Sequence, residues 1–277
     1  MHGFLSYSRL LPALLLAPLL NLTACGGSSS SEPRNTPAPE APTPTVFALE
    51  EATVADIHAA FRGDLQLENG DTLNCETLAT LYIRRIFAYD NTPQPSGGLP
   101  IRSVLAINPL VLEQARALDA AYARDGGIGQ RPLHCMPILL KDNYDTYDYP
   151  STQGSYSMLG HQAGVDAHSV AGLRRAGGLI LGKANQDEFA FWTTGFSNRA
   201  IQVSNPYNTS ESPAGSSSGT GAAIAANFAL GGTGSDTCQS IRHPASVNGL
   251  VGIRPSLGVI SQHGILNPPG FIGGFLV

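Results

Sequence analysis

The sequence predicts an α/β fold, and three observations carry that expectation. Leu133 to Asp142 and Gly178 to Ala184 are apolar runs of strand length. Asp166 to Ala176 lies between them and reads as a helix, so strand, helix and strand follow one another. Upstream, Phe47 to Phe61 and Leu73 to Tyr89 place apolar residues at helical spacing.

Taken in order, the chain starts with a leader. Met1 to Ala24 has a weakly basic start at Arg9 and an apolar run from Leu10 to Leu22, the pattern of a secretory signal. The run is too short and too interrupted by proline for a membrane span. It ends in Leu22-Thr23-Ala24-Cys25, which resembles the lipobox of bacterial lipoproteins. That resemblance implies that Cys25 becomes a lipidated first residue. No Asp follows Cys25, which by analogy implies an outer-membrane anchor facing the periplasm. An ordinary cleaved signal with a chance cysteine is the alternative. Residues 25–45 are rich in Ser and Pro, contain no aromatic residue, and read as a disordered tether.

Residues 46–277, about 230 in all, are enough for one sizeable domain with a core. The formal net charge is −5, 13% of residues are charged, and there is no basic run, so nucleic acid is not an expected partner. In the first helix, His58 reads as a surface histidine. In the second, Leu78, Leu81, Tyr82 and Ile86 make the apolar face. Asn91 to Pro100 is a turn-rich loop, Ser103 to Asn108 a short strand, and Pro109 to Asp125 a third helix closed by glycine. Leu133 to Asp142 ends in a lysine directly after Ile-Leu-Leu, where burial of an ammonium is costly. On its own, Lys141 is more simply a lysine reaching out at a strand end. Lys183 repeats the pattern in the second strand. Thr220 to Leu230 reads as a helix of small residues and Val247 to Ile253 as a strand.

Gly215 to Pro244 holds two serine clusters, Ser216-Ser217-Ser218 and Ser240 after Asp236-Thr237-Cys238-Gln239. So many small side chains let the backbone approach another segment or a substrate closely. GSSSG, then GSDTCQSIRHPAS, then GLVGIRPS resemble the core of the amidase signature family of serine hydrolases. The upstream Pro137-Ile138-Leu139-Leu140-Lys141-Asp142-Asn143 is similar to that family's lysine motif. Three motifs in the right order make the resemblance specific.

The resemblance implies a mixed-sheet core covered by helices and a Ser–Ser–Lys triad. Ser240 falls on the nucleophile, Ser216, 24 positions earlier, on the bridging serine of a cis peptide, and Lys141 on the base. A serine hydroxyl needs a base to become a nucleophile, and lysine is a base only when neutral. Burial at the end of an apolar strand lowers its pKa in the required direction. A hydroxyl both donates and accepts, so Ser216 can relay the proton. The backbone N–H groups of Thr237, Cys238, Gln239 and Ser240 are the implied oxyanion donors. Cys238-Gln239 stands where the family has Gly-Gly, which narrows the site or alters its backbone. Asp236 and Arg242 read as loop supports, with Ser217 and Ser218 adding hydrogen bonds. The implied reaction is hydrolysis of a small-molecule or peptide amide to acid and ammonia or amine, with no cofactor.

Cys75, Cys135 and Cys238 remain once Cys25 is set aside, and no C-x-x-C spacing suggests zinc or another metal. Family resemblance implies a Cys75–Cys135 disulfide, with two buried thiols as the alternative. Gly215 to Gly219 also matches a G-x-S-x-G elbow, but Asn205 to Ala214 is too rich in turns for the strand it needs. Of later histidines, only His243 and His263 are available to it. The ending NPPGFIGGFLV no longer resembles the family, so the chain reads as truncated after the nucleophile segment. Two further readings stay open. One is an inactive amidase-like lipoprotein serving as a binding module. The other is the ammonia-releasing subunit of a glutamyl-tRNA amidotransferase.

Overall fold

The structure, a computed structural model, describes residues 46–95, 97–266 and 275–276. The expectations for the signal, for Cys25 and for the tether lie outside the described residues.

Helix α1 (Val54–Arg62) begins at a capping box, in which the Thr53 side chain accepts from Asp56 N and the Asp56 carboxylate accepts from Thr53 N at 2.9 Å. That cap corrects the expected start at Phe47. Residues 47–53 are not helical; Phe47 is buried as a docked strand-like residue whose N–H donates to Gln66 O at 2.8 Å. Helix α2 (Cys75–Tyr89) starts at Asn74, whose side chain accepts from Thr77 N at 2.8 Å. Strand β1 (Val104–Ile107) and helix α3 (Val111–Asp125) follow, the helix closing on left-handed Gly126. A disulfide joins Cys75, at the start of α2, to Cys135, with the two Cα atoms 5.4 Å apart.

Strand β2 (Pro137–Lys141), helix α4 (His168–Arg175) and strand β3 (Leu179–Ala184) form the central unit, and both strands are buried throughout. Two short strands, β4 (Phe196–Ser197) and β5 (Ile201–Gln202), pair apart from it. Helix α5 (Ser218–Ala225) precedes strand β6 (Gly231–Gly234), helix α6 (Arg242–Val247) and strand β7 (Phe275–Leu276). The main sheet has the order β1-β3-β2-β6-β7. Strand β2 runs parallel to β3 and β6, whereas β1 and β7 are antiparallel to their neighbours. The sheet is therefore mixed and the fold α/β.

Two expectations change. The small-residue helix starts two residues earlier and ends at Ala225, because Asn227 takes a left-handed conformation. Val247 to Ile253 is not a strand. Val247 ends α6, Gly249 is left-handed, and Val251 and Ile253 are 84% and 63% exposed, with no strand pairing among the described residues. Pro244 lies in the first turn of α6, where its missing N–H breaks no helical bond.

One register shift matters for the site. The β2–β3 pairing runs Ile138↔Ile180 and then Leu139↔Gly182, so β3 carries one extra residue. A side chain at Gly182 would collide with Ala106 O across β1. Beyond the bulge Lys183 pairs with Leu140, and Lys141 with Ala184. Side chains alternate across a strand, so the two lysines leave on opposite faces of the sheet.

Candidate active site

Three segments converge at the ends of the parallel strands. Strand β2 delivers Lys141, whose backbone N–H is fixed by Thr233 Oγ1 of β6 at 3.0 Å. The segment before α5 delivers Ser216 through a cis Gly215–Ser216 peptide. The turn after β6 delivers Ser235, Asp236 and, just before α6, Ser240. Ser217 N donates to Ser240 O at 3.1 Å and ties the two serine segments together.

Lys141 is fully buried, and its Nζ lies 2.7 Å from Ser216 Oγ. It also reaches Ser235 Oγ at 2.9 Å and Ser235 O at 3.4 Å. Burial lowers its pKa to about 7, against the pull of the Asp187 and Asp236 carboxylates. Such an amine is substantially neutral in ordinary buffer. Ser240 is 9% exposed, at the margin of the buried set. Among the described residues no hydrogen bond joins its hydroxyl to Ser216; such contacts often tighten only around a bound substrate.

The N–H groups of Thr237, Cys238, Gln239 and Ser240 donate to no acceptor among the described residues. Thr237, Cys238 and Gln239 are exposed, and neither Cys238 nor Gln239 has a positive φ. This turn does not demand a glycine conformation at either position. Asp236 braces it: its carboxylate accepts from Ile241 N at 3.1 Å and from Arg242 Nε at 3.0 Å. Arg242 also donates to Cys238 O, and Arg254 lies 3.5 Å from the same carboxylate. Burial alone would raise the Asp236 pKa; the hydrogen bonds from Arg242 and Ile241 and the guanidinium charge hold it below its ordinary value. Ser217 Oγ accepts from Ser235 N at 3.3 Å, and Ser218 is buried at the start of α5.

Lys183 does not enter this cluster. Its Nζ donates to Tyr144 O and to Ser151 Oγ, the latter at 2.7 Å, and sits 5.0 Å from the centre of the Tyr149 ring. The strand that a G-x-S-x-G elbow needs is absent from residues 203–217, and Ser217 is engaged with Ser235 and Ser240. His243 lies in α6, and its Nδ1 is buried. His58 is half-buried rather than a surface residue. The sequence assigned no role to Ser235 or Asn143, although both lie inside the motifs, Asn143 at the end of the lysine motif and Ser235 just before Asp236. Cys75, His134 and Cys135 bring ligand-type atoms within 4.8 Å of one another. The two sulfurs are bonded together, which leaves one imidazole whose pKa burial lowers to about 4.

A family model described as Amidase matches residues 100–272. A probable amidase of Arabidopsis thaliana is 35% identical over 228 residues, covering 80% of this chain and 42% of the relative. A glutamyl-tRNA(Gln) amidotransferase subunit of Cupriavidus metallidurans is 40% identical over 197 residues, covering 70% of this chain and 37% of the relative. The crystal structure of the native peptide amidase of Stenotrophomonas maltophilia superposes with a TM-score of 0.70 at 38% identity, covering 79% of this chain and 43% of that one. The chain thus spans less than half the length of these relatives.

Proposed function

The chain belongs to the amidase family, and we propose that it hydrolyses a carboxylic amide through an acyl-enzyme on Ser240. The observation that carries this reading is the buried Lys141, its Nζ 2.7 Å from Ser216 Oγ. Neutral Lys141 takes the Ser216 proton while Ser216 takes that of Ser240, and Ser240 Oγ attacks the amide carbonyl. The oxyanion meets the N–H groups of the 237–240 turn. The proton returns along the relay to the leaving ammonia or amine, and water then releases the acid. Every group used belongs to this chain, and no cofactor takes part. Identity to a peptide amidase supports a small or peptidic amide as substrate.

We extend the proposal to location. Leu22-Thr23-Ala24-Cys25 would make Cys25 the lipid anchor, holding the domain to a membrane facing the periplasm, by analogy the outer membrane. Labelling of Cys25 by a fatty-acid analogue in cells, lost in Cys25→Ala, tests it; equal labelling of both chains contradicts it.

Release of ammonia or amine from a panel of carboxylic amides, peptide amides included, tests the chemistry. Release lost in Ser240→Ala and in Lys141→Ala supports it. A folded wild type that hydrolyses none of them favours a binding module instead. The 40% identity to a glutamyl-tRNA(Gln) amidotransferase subunit favours a second reading, in which the chain serves within such an enzyme. The Cys25 motif, a mark of export, stands against that reading.

A further inference from the structure

Three oxygens surround Lys141 Nζ, and two of them belong to one residue, Ser235. Ser235 is itself buried, at 3% exposure, and it leaves the sheet at the end of β6. Asn143 Nδ2 donates to Ser235 Oγ at 3.1 Å. The same amide donates to Leu266 O at 3.0 Å, and a carbonyl only accepts, so the NH2 end faces Ser235. Three elements therefore meet at one hydroxyl: β2 through Lys141, the turn after it through Asn143, and the end of β6.

We propose that Ser235 is a positioning residue for Lys141, holding the amine by its side-chain and backbone oxygens so that the remaining direction of Nζ faces Ser216. A carbonyl takes an N–H in either protonation state, which fixes one hydrogen of the amine on Ser235 O. The hydroxyl, already accepting from Asn143, has one lone pair left and takes the second N–H. The lone pair of the neutral amine then lies toward Ser216 Oγ. When Lys141 has taken the proton, its three N–H groups meet three acceptors, none of them charged. The charged groups that face the amine are Asp187, before the β4–β5 hairpin, and Asp236, itself engaged by Arg242 and Arg254. Ser235 thus supports the ammonium where burial opposes it. This rests on Lys141 acting as the base.

Two readouts on the full chain separate this inference from that reading. The first is the titration of Lys141 by NMR of lysine labelled at Cε, assigned with Lys141→Arg; it needs no turnover. The second is the pH dependence of labelling by a fluorophosphonate. Ser235→Ala removes one acceptor of the charged form, so the Lys141 titration moves down by roughly one pH unit. Its labelling rate falls roughly 10- to 100-fold with little change in the probe concentration at half-saturation. Ser235→Thr restores both. Ser235→Cys, close in shape and a weak acceptor, behaves as Ser235→Ala does and serves where the alanine variant does not fold. A wild-type titration and labelling rate in folded Ser235→Ala and Ser235→Cys overturns the inference. A wild type that is never labelled removes the acyl-enzyme reading, and the Lys141 titration still decides the role of Ser235.

Discussion

Lys141 and Lys183 lie on neighbouring parallel strands, both buried, and their side chains leave the sheet on opposite faces. One extra residue in β3, Leu181, between the Ile138↔Ile180 and Leu139↔Gly182 pairs, makes the difference. Sequence alone offered two lysines after apolar runs; the bulge assigns one to the serine cluster and one to the far core.

The two lysines should separate in mutants. Lys141→Met is expected to slow labelling of Ser240 at least 100-fold while leaving a folded protein. Lys183→Met is expected to keep the chemistry and lose about 1–3 kcal/mol of stability, because Ser151 Oγ loses the ammonium donor and Tyr144 O keeps only the Ser151 hydroxyl. Labelling rates and thermal melts on both variants check this.

Reactivity should follow the neutral form of Lys141. Its pKa in the fold is about 7 against an ordinary 10.5, so labelling should rise with pH through about 7. The same shift links to stability with a definite sign. Between about 7 and 10.5 the unfolded chain holds the proton that the folded one has released, so stability rises with pH across that window. Denaturant midpoints against pH should show this rise in the wild type and a smaller one in Lys141→Met.

The Cys75–Cys135 bond closes a sequence separation of 60 between α2 and the entry to β2. By the chain-entropy argument it contributes about 4 kcal/mol. Melting with and without reductant should show a large downward shift on reduction. Equal melting temperatures would contradict the assignment.

Asp236→Asn should loosen the turn that carries Ser240, since Arg242 and Arg254 lose the carboxylate they share. Labelling is expected to drop roughly 10- to 100-fold. Limited proteolysis near residues 237–241 should speed up in the variant and be unchanged if the turn is held by other contacts.

Much of the candidate site was legible because its residues sit in contiguous motifs. Pro137 to Asn143, Gly215 to Gly219 and Gly234 to Arg242 are each short, and each places its lysine or serine at a strand end or a helix start. The sheet was legible where burial on both faces writes an apolar run, as in β2 and β3. Strand β6 was not, because its sequence is Gly-Gly-Thr-Gly. A Cβ at Gly232 would stand 2.9 Å from Leu139 O, so close packing of the strand removed the signal that marks strands. Ser235 was missed for a related reason: its role depends on Asn143, 92 positions away in the chain. Val247 to Ile253 misled because an apolar run records affinity for a partner and not its presence.

The most direct measurement of the central claim is mass-spectrometric mapping of the adduct left by a fluorophosphonate on the intact chain. A single adduct on Ser240 is expected, absent in Ser240→Ala and slowed at least 100-fold in Lys141→Met. An adduct on Ser216 or Ser217 instead, or one on Ser240 that forms at the same rate without Lys141, would contradict it.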